Sequence, residues 1–439
     1  MERVEEYAVK KVDCAHDIVA TVPGSKSITN RALLIAAMAK GSSKLTNVLF
    51  SDDSRHFLNA LKSLGFSVDI DEENATVLVE GMGGKIPCVI EHEFVNVNGY
   101  EVNGFVNVGS AGTAARFLTA YLGLSEGRFY VDSSEQMKKR PMEELLVALE
   151  SLGASIEYIE EKYHFPFIIG NTGIDRDEVE IDVDRSSQFL SALLIAAPLF
   201  QKSFAIHVKG EHGLSYVEMT VKMMAAFGVR IFREAKTYRI EGNLMYNAMD
   251  YFIEPDMSAA CYFYAMAPLL QKEVLVKGIH RKSLQGDVAF LSVLERMGCS
   301  LCEKPEGVCV KGNSIFHGGE FDLSSFSDQT LTLAAIASFA DSPVRIQNVS
   351  HIRHQECDRI NAIILNLERL KGKVEETEDG IVIYPSLLQG ASIETFEDHR
   401  VAMSFSLVGL RVDGVVILNP SCCRKTFENY FDVLEDVLY

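Results

Sequence analysis

Runs of small and apolar residues, each opened by a short polar stretch, recur six times along the chain. The first run, Ala32 to Ala39, follows two serines that flank Lys26. Runs of this kind are typical of helices that are buried on every side. The pattern therefore predicts six buried helices whose first turns hold the polar side chains. Their polar openings lie at residues 25–31, 109–116, 186–188, 256–258, 328–330 and 398–400.

A short strand and an amphipathic helix follow each buried helix, and five of these second helices stop at a glycine. The stop glycines lie at positions 65, 153, 228, 298 and 372, at intervals of 88, 75, 70 and 74 residues. These near-equal steps indicate a repeated βαβαββ-like unit instead of one doubly wound sheet. The predicted second helices span 52–64, 141–152, 216–227, 287–297, 358–370 and 426 onward. The predicted strands lie at 45–50, 66–70, 129–131, 204–208, 274–276, 344–346 and 415–418.

The sixth repeat reaches the C-terminus without its closing strands, and the segment 6–10 is the candidate for one of them. Chain crossings near 21–24 and 246–255, the second rich in turn-forming residues, would divide the repeats three against three. We therefore expect an α/β fold of two similar domains. One domain is predicted to span residues 21–250, and the other residues 1–20 together with 251–439.

Composition excludes several classes of protein. The 439 residues favour two or more domains, and the net charge of −19 disfavours nucleic acid and anionic membranes as partners. No apolar run reaches membrane-spanning length, and the acidic first residues lack a signal or transit pattern. The odd count of nine cysteines predicts reduced thiols in a cytoplasmic protein. Cys299 with Cys302, or Cys422 with Cys423, offers too few ligands for a zinc site, so no metal is expected.

The first turns of the buried helices carry more than capping residues. Serine and aspartate are ordinary helix caps, and that alternative remains open for each position. Arg116, Gln188, His399 and Arg400 are not required by capping, and cations there oppose the helix dipole by about 0.3–1 kcal/mol each. An anionic partner would offset that cost. Six helix N-termini directed at one cleft would form a preorganised anion site.

Seven motifs in order resemble the enolpyruvyl transferase family, and most closely its branch that uses shikimate 3-phosphate. The resemblance covers nearly the whole chain. The matching segments are Pro23–Ser27, Gly109–Arg116, Met137–Pro141, Ser186–Phe189, Glu356–Arg359, Asp398–Met403 and Lys425–Phe427.

The resemblance implies two domains of three βαβαββ units each, built around buried parallel helices, with the active site in the cleft between them. It also implies the reaction, a step of the shikimate pathway of aromatic amino acid biosynthesis. The enolpyruvyl group of phosphoenolpyruvate moves to the 5-hydroxyl of shikimate 3-phosphate by addition and elimination, and phosphate leaves. Both substrates are small molecules, and the resemblance implies no cofactor. We expect a cytoplasmic monomer.

Residue roles are carried over from the family motifs. Glu356 matches the acid that protonates the methylene carbon, with Lys26 beside it, and Asp328 matches the base for the attacking hydroxyl. The residues implied for phosphoenolpyruvate are Lys26, Gly112, Arg140, Gln188, Arg359, Arg400 and Lys425. The residues implied for shikimate 3-phosphate are Ser27, Arg31, Ser186, Ser187, Gln188, Tyr216 and Asp328.

Singly, each of these residues also has an ordinary structural explanation. Glu356 could belong to a surface ion-pair run, Asp328 could be a plain N-cap, and Arg140 could be solvated. Tyr216 could be a core aromatic with its hydroxyl at the rim. It is the ordered set of motifs that favours the functional interpretation.

The chain departs from the family pattern at four positions. Gln355 replaces a lysine, His351 an asparagine and Gly213 a serine, all on the acceptor side of the predicted site. Phe117 stands where many members have proline, which bears on sensitivity to the family inhibitor glyphosate.

Two other functions remain as alternatives. An enolpyruvyl transferase acting on UDP-N-acetylglucosamine would carry Lys-Asn in place of Lys26-Ser27, and a loop cysteine that Cys88 does not match. A non-catalytic anion-binding homologue would be expected to lack the acid or the base. Both Glu356 and Asp328 are present, so we rank it last.

Overall fold

The computed structural model describes residues 5–12, 16–171, 173, 176–211 and 213–439. The chain forms two compact units, which we call the continuous unit, Gly24–Ile253, and the split unit, Met1–Pro23 with Glu254–Tyr439. Within the described residues, the helices are too short or too polar to cross a membrane.

The continuous unit contains three repeats of helices and strands. Its helices are Lys26–Met38, Asp52–Ser63, Pro87–Ile90, Gly112–Leu124, Glu135–Lys138, Glu143–Ser151, Gln188–Ala196 and Leu214–Ala226, with a 3-10 turn at Ala197–Leu199. Its strands are Lys40–Thr46, Val68–Asp71, Thr76–Met82, Val95–Val97, Tyr100–Val102, Gly104–Asn107, Gly127–Asp132, Ala154–Tyr158, Phe167–Asn171, Glu178–Asp182, Phe204–Lys209, Ile231–Glu234, Thr237–Ile240 and Tyr251–Phe252.

The split unit contains the other three repeats. Its helices are Met257–Tyr264, Met266–Leu270, Phe290–Arg296, Thr330–Ala337, Arg359–Arg369, His399–Gly409 and Tyr430–Asp436, with 3-10 turns at Gly286–Ala289, Ser327–Gln329, Ser350–His354 and Pro420–Lys425. Its strands are Glu6–Ala8, Ile18–Ala20, Glu273–Lys277, Ser300–Lys304, Gly307–Lys311, Gly319–Asp322, Val344–Gln347, Lys373–Glu376, Ile381–Tyr384, Ser392–Ile393 and Val416–Leu418.

Four of the sheets share one strand order. In each, a parallel pair of strands is extended by an antiparallel hairpin, as in Gly319–Asp322, Val344–Gln347, Ile381–Tyr384 and Lys373–Glu376. Short strands close to the two chain crossings supply the outer parallel strand in two of these sheets. Tyr251–Phe252 pairs with Lys40–Thr46 in the continuous unit, and Ile18–Ala20 pairs with Glu273–Lys277 in the split unit.

The last sheet is completed from the other end of the chain. Val416–Leu418 pairs in parallel with Ser392–Ile393, and Glu6–Ala8 pairs antiparallel with it on its other side. The N-terminal strand therefore takes the place that a hairpin strand occupies in the other repeats. Since the core of the split unit runs from Val9 to Leu438, both ends of the chain contribute to one hydrophobic cluster.

Each repeat buries its first helix almost completely. All thirteen residues of Gly112–Leu124 are buried, and so are all eleven of His399–Gly409. Small residues such as Ala114, Ala115 and Ala120 let the neighbouring elements approach closely. Polar groups in the first turns of these helices are therefore held by rigid, packed elements.

Several predicted element bounds were wrong. The strand predicted at 45–50 ends at Thr46, because Asn47 adopts a left-handed backbone with φ of +57°. The buried helix that opens at Gln188 ends at Ala196, two residues before Pro198. Pro268 accompanies a break at Ala265, and both effects follow from the missing N–H and the ring of proline. The last helix begins at Tyr430, not at 426.

The stop glycines mark the ends of the second helices, where the backbone turns into the left-handed region. The first four have positive φ, between +87° and +103°, where glycine is favoured. In the fifth repeat it is Lys371 that takes the left-handed conformation, with φ of +63°, one residue before Gly372. The first interval is longest because the hairpin Val95–Val97 and Tyr100–Val102 is inserted there.

The prediction that all thiols are reduced was wrong for one pair. Cys302 and Cys309 lie directly opposite each other on neighbouring strands and form a disulfide, with their Cα atoms 5.1 Å apart. A count of cysteines cannot reveal such a pairing, because it depends on strand register. The free cysteines among the described residues are Cys88, Cys261, Cys299, Cys357, Cys422 and Cys423, and Cys14 lies outside those residues.

Candidate functional site

In the continuous unit, a buried arginine is surrounded by hydroxyl and carbonyl oxygens. Arg31 is 1% exposed. Its Nε donates to Thr220 Oγ1 at 2.7 Å, and its Nη1 donates to the Ser27 carbonyl at 2.9 Å. Its Nη2 donates to Ser191 Oγ at 3.5 Å and to the Tyr216 carbonyl at 3.3 Å. We call these five residues the hydroxyl cluster.

Among the described residues, the hydrogen bonds of Arg31 end on neutral hydroxyl and carbonyl oxygens and not on a carboxylate. Burial consequently lowers the pKa of Arg31 to about 9, and Tyr216 opposes that shift only in part. Phe117 supports the guanidinium from one side, with its ring centroid 5.1 Å from Cζ. An anion bound at this cluster would stabilise the charged form of Arg31, which burial disfavours.

Lys26 lies in the first turn of the same helix as Arg31. Ser25 caps this helix, accepting from the backbone N–H of Ile28 at 3.5 Å. Lys26 Nζ pairs with Asp53 Oδ2 at 3.3 Å, and the Asp53 side chain is only 3% exposed. Sequence reasoning missed Asp53, whose position after Ser51 signals only the start of an amphipathic helix.

Gly112 and Arg140 lie in contact within the second repeat. A Cβ added to Gly112 would lie 2.7 Å from Arg140 Nη1, so only glycine lets the guanidinium lie over this helix start. Arg116, by contrast, serves the fold. Its Nη2 donates to the Pro141 carbonyl at 2.7 Å and its Nη1 to the Gly112 carbonyl at 3.3 Å. The anion partner inferred for Arg116 from its helix position is therefore unnecessary.

The third repeat places Ser186, Ser187 and Gln188 at the start of the helix that carries Ser191. The Gln188 N–H donates to Ser186 Oγ at 3.3 Å. Gly213 precedes the helix that carries Tyr216 and adopts a left-handed φ of +64°. A Cβ on Gly213 would lie 2.6 Å from Ser187 Oγ. The glycine found in place of the family serine is thus required by the local packing.

In the split unit, a second buried arginine is surrounded by carboxylates. Arg359 is 1% exposed. Its Nε lies 2.8 Å from Asp398 Oδ2, its Nη2 lies 2.9 Å from Glu356 Oε2, and its Nη1 lies 3.1 Å from Asp328 Oδ1. The Nη1 group also donates to Gln355 Oε1. Burial acts to lower the pKa of Arg359, but the carboxylates, led by Asp398, outweigh it and raise the pKa.

Asp328 joins Arg359 to Arg400. Arg400 Nη2 lies 2.8 Å from Asp328 Oδ2, and Arg400 Nη1 donates to the Tyr262 hydroxyl at 3.4 Å. Asp398 caps the helix that carries Arg400 by accepting from its backbone N–H at 2.9 Å. Asp398 is therefore an N-cap and an arginine partner at once, a second role that its position in the sequence does not reveal.

Glu356 lies between two cations. Its Oε2 accepts from Arg359, and its Oε1 lies 3.3 Å from Lys425 Nζ. Both Glu356 and Lys425 have side chains about one-tenth exposed. Lys425 is the last residue of the 3-10 turn Pro420–Lys425, which precedes the last helix. We call Asp328, Glu356, Arg359, Asp398, Arg400 and Lys425 the ionic cluster.

The structure thus brings most predicted site residues together within each unit. Ser27, Arg31 and Tyr216 meet in the continuous unit, as do Gly112 and Arg140. Asp328, Glu356, Arg359, Arg400 and Lys425 meet in the split unit. His351 Nε2, at one of the departures from the family pattern, lies 2.8 Å from Ser327 Oγ, beside Asp328.

Comparison with known proteins decides the family. A model of the family described as EPSP synthase (3-phosphoshikimate 1-carboxyvinyltransferase) matches residues 13–434. The chain belongs to the EPSP synthase family. A 3-phosphoshikimate 1-carboxyvinyltransferase of Nostoc punctiforme is 40% identical over 417 residues, covering 94% of this chain and 95% of that protein. One from Photobacterium profundum is 40% identical over 420 residues, covering 95% of each.

A solved structure gives the same result for the fold. The EPSP synthase of Acinetobacter baumannii superposes with a TM-score of 0.79 at 22% identity, covering 98% of each chain. At that identity the likeness concerns the fold alone. Together these comparisons confirm the predicted family, the two-domain enolpyruvyl transferase fold and the transferase class. The predicted roles of individual residues stay predictions.

Proposed function

We propose that the chain transfers the enolpyruvyl group of phosphoenolpyruvate to the 5-hydroxyl of shikimate 3-phosphate and releases phosphate. Membership of the EPSP synthase family supports this assignment. The observation that carries it within the molecule is the ionic cluster, where three cations hold two partly accessible carboxylates, Asp328 and Glu356. The reaction needs both of these elements, anion-binding cations and acid–base groups.

The acid–base chemistry falls to the two carboxyl groups. Glu356 would give a proton to the methylene carbon of phosphoenolpyruvate, which makes the neighbouring carbon electrophilic. Asp328 would take the proton of the attacking 5-hydroxyl as the new C–O bond forms. In the elimination step the bond to phosphate breaks, and the methyl carbon returns a proton to Glu356. Lys26 would stabilise the anionic groups beside this carbon.

The cations of the ionic cluster supply the binding energy. Arg359, Arg400 and Lys425 are paired with Asp328 and Glu356. We infer that the phosphate and carboxylate of phosphoenolpyruvate replace these partners, since arginine binds oxyanions through two parallel hydrogen bonds. This exchange would leave Asp328 and Glu356 in place to act on the substrate.

The continuous unit would bind shikimate 3-phosphate. Arg31, Ser27, Ser186, Ser187, Gln188 and Tyr216 belong to helix starts that approach one another there. Arg140 and Gly112, with Gln188, are proposed to contribute to phosphoenolpyruvate. We propose that the complete site needs both units, treated as domains 21–250 and 1–20 plus 251–439, in a cytoplasmic monomer that requires no cofactor.

The decisive experiment mixes the protein with phosphoenolpyruvate and shikimate 3-phosphate and follows the release of phosphate. We expect release that depends on both substrates, with the enolpyruvyl product identified by mass spectrometry. UDP-N-acetylglucosamine replaces the acceptor in a parallel reaction. Phosphate release with that nucleotide sugar alone would reverse the assignment, and release with neither acceptor would favour a non-catalytic homologue.

A further inference from the structure

A buried carboxyl group outside the ionic cluster contacts the residue that follows Asp328. Asp287 lies in the 3-10 turn Gly286–Ala289 and is 3% exposed. Its Oδ1 accepts a hydrogen bond of 2.7 Å from Gln329 Nε2. A buried carboxyl is costly unless it is hydrogen-bonded, so this contact is one that the fold has to maintain.

Gln329 is held on both sides of its amide. Thr332 Oγ1 donates to Gln329 Oε1 at 3.1 Å, while Gln329 Nε2 donates to Asp287. This pair of contacts fixes the orientation of the amide, because its oxygen faces a donor and its nitrogen an acceptor. Gln329 is fully buried and ends the short turn Ser327–Gln329 that also carries Asp328.

Other charged groups influence Asp287 from the surrounding elements. Burial first, and then repulsion from Asp328, raise the pKa of Asp287 to about 6, whereas Arg400 and the hydrogen bond from Gln329 oppose the rise. Asp256, which caps the helix Met257–Tyr264, adds a smaller repulsion. On that helix, Cys261 Sγ lies 3.9 Å from the carbonyl oxygen of Asp287.

We propose that Asp287 is a positioning residue for Asp328 and acts through Gln329. The inference rests on the proposed function, in which Asp328 is the base. Asp328 is held by Arg359 and Arg400. When those arginines turn to an anionic substrate, they release the carboxylate. Its position then depends on the turn that carries it, which Asp287 anchors through the next residue.

The test compares turnover of the wild type with that of three variants. Asp287→Ala removes the acceptor, so kcat should fall about 10- to 100-fold, the range expected when a catalytic group is displaced by about an ångström. The KM for phosphoenolpyruvate should change less than about threefold. Asp287→Asn keeps an oxygen that can accept from Gln329 and should recover kcat to within about threefold of the wild type. Gln329→Met should resemble Asp287→Ala.

The double variant Asp287→Ala with Gln329→Met adds a thermodynamic check. If the two residues act as one unit, the double variant should be no slower than the slower single variant. Asn366→Ala serves as the control, because Asn366 is equally buried and hydrogen-bonded, to the Glu394 carbonyl, but lies outside the ionic cluster. It should lower stability and leave kcat per folded molecule unchanged.

If the wild type turns over normally, three results would overturn the inference. The first is an unchanged kcat in folded Asp287→Ala, and the second is an equal loss of kcat in Asp287→Ala and Asp287→Asn. The third is a loss of kcat in the double variant that equals the sum of the single-variant effects in free energy. Should Asp287→Ala not fold, the contrast between Gln329→Met and Asp287→Asn decides alone, and equal kcat values in these two would reject the role. A wild type without turnover would instead reject the proposed function.

Discussion

Arg31 and Arg359 are equally buried, yet their surroundings are opposite. The hydrogen bonds recorded for Arg31 reach hydroxyl and carbonyl oxygens of the continuous unit. Arg359 pairs with three carboxylates of the split unit. Burial lowers the pKa of Arg31 to about 9, whereas the carboxylates around Arg359 overcome burial and raise its pKa. Within the part of the chain that the structure describes, the same side chain therefore contacts neutral oxygens in one unit and three carboxylates in the other.

The difference teaches how two anionic substrates can be bound in different ways. In the proposed function, an anion at the hydroxyl cluster would add charge compensation to Arg31. The cations of the ionic cluster are paired with carboxylates, so an incoming anion would have to replace them. That replacement would couple substrate binding to the release of the acid and the base. The four experiments below test this contrast, in order of decreasing expected effect.

The largest expected effect is the loss of turnover when the carboxyl group of Asp328 or of Glu356 is removed. Asp328→Ala and Glu356→Gln should each lower kcat by at least about 1000-fold, because general acid–base groups contribute on that scale. Binding of shikimate 3-phosphate, measured by calorimetry, should be largely kept. Glu375→Gln, an exposed carboxylate hydrogen-bonded to the Tyr384 hydroxyl, is the matched control and should have normal kcat. Near-normal rates in both test variants would remove the catalytic assignment.

The next effect is on stability and compares the two arginines directly. Arg359→Met removes the cation that three carboxylates share and leaves Arg400 and Lys425 to offset their charge, which should lower the free energy of unfolding by about 3–5 kcal/mol. Arg31→Met should cost about 1 kcal/mol, because Thr220 Oγ1 keeps contacts of 3.1 Å with Ser191 Oγ and with the Tyr216 carbonyl. Urea unfolding of both variants gives the two values. Equal losses would contradict the contrast between the clusters.

The third effect is on the pH dependence of the free energy of unfolding, to which the buried carboxyl group of Asp287 contributes. The raised pKa of Asp287 means that the folded state binds its proton more tightly than the unfolded state does. Its contribution to stability is therefore fully present below the unfolded pKa of 3.8 and is lost as the pH rises through about 6, a change of up to about 3 kcal/mol. Asp287→Asn should lack this component. A wild-type-minus-variant difference that stays constant between about pH 4 and pH 7 would exclude it.

The smallest effect concerns the loop that supports the hydroxyl cluster. Gly213→Ala forces a side chain into a left-handed position and against Ser187, so stability should fall by about 1–2 kcal/mol and the KM for shikimate 3-phosphate should rise. Gly99→Ala is the matched control, since φ there is +90° and a Cβ would meet nothing within 4 Å. It should show the backbone strain alone, with KM unchanged. A similar KM for shikimate 3-phosphate in both variants would show that the contact with Ser187 does not affect binding.

The buried helices and their polar first turns were predictable because both leave local patterns. Hydrophobic runs located the helices, and glycine spacing located the repeats. Helix ends were less predictable where 3-10 turns replace the first or last turn, as at Ser327–Gln329 and Pro420–Lys425. The hairpin inserted before the second repeat, Val95–Val102, also has no counterpart in the repeat pattern.

Within the candidate site, residues in the seven motifs and the helix openings were easier to predict than residues outside them. The motifs located Lys26, Arg359 and Arg400, but Asp53 and Asp287 occur in segments with no distinctive pattern. Their roles depend on contacts between separate elements, such as the 3.3 Å pair of Lys26 with Asp53. Sequence order does not encode such a contact without knowledge of the fold. The Cys302–Cys309 disulfide escaped prediction for the same reason.

The different connectivity of the two units affects the order in which they are completed during synthesis. The continuous unit can fold as soon as Ile253 has left the ribosome, because all its strands are then available. The split unit must wait for its last strand, and the Tyr7 hydroxyl donates a hydrogen bond to Glu435, 428 positions further along the chain. We therefore expect nascent chains stalled near residue 300 to hold one protease-resistant body behind a cleavable leading segment.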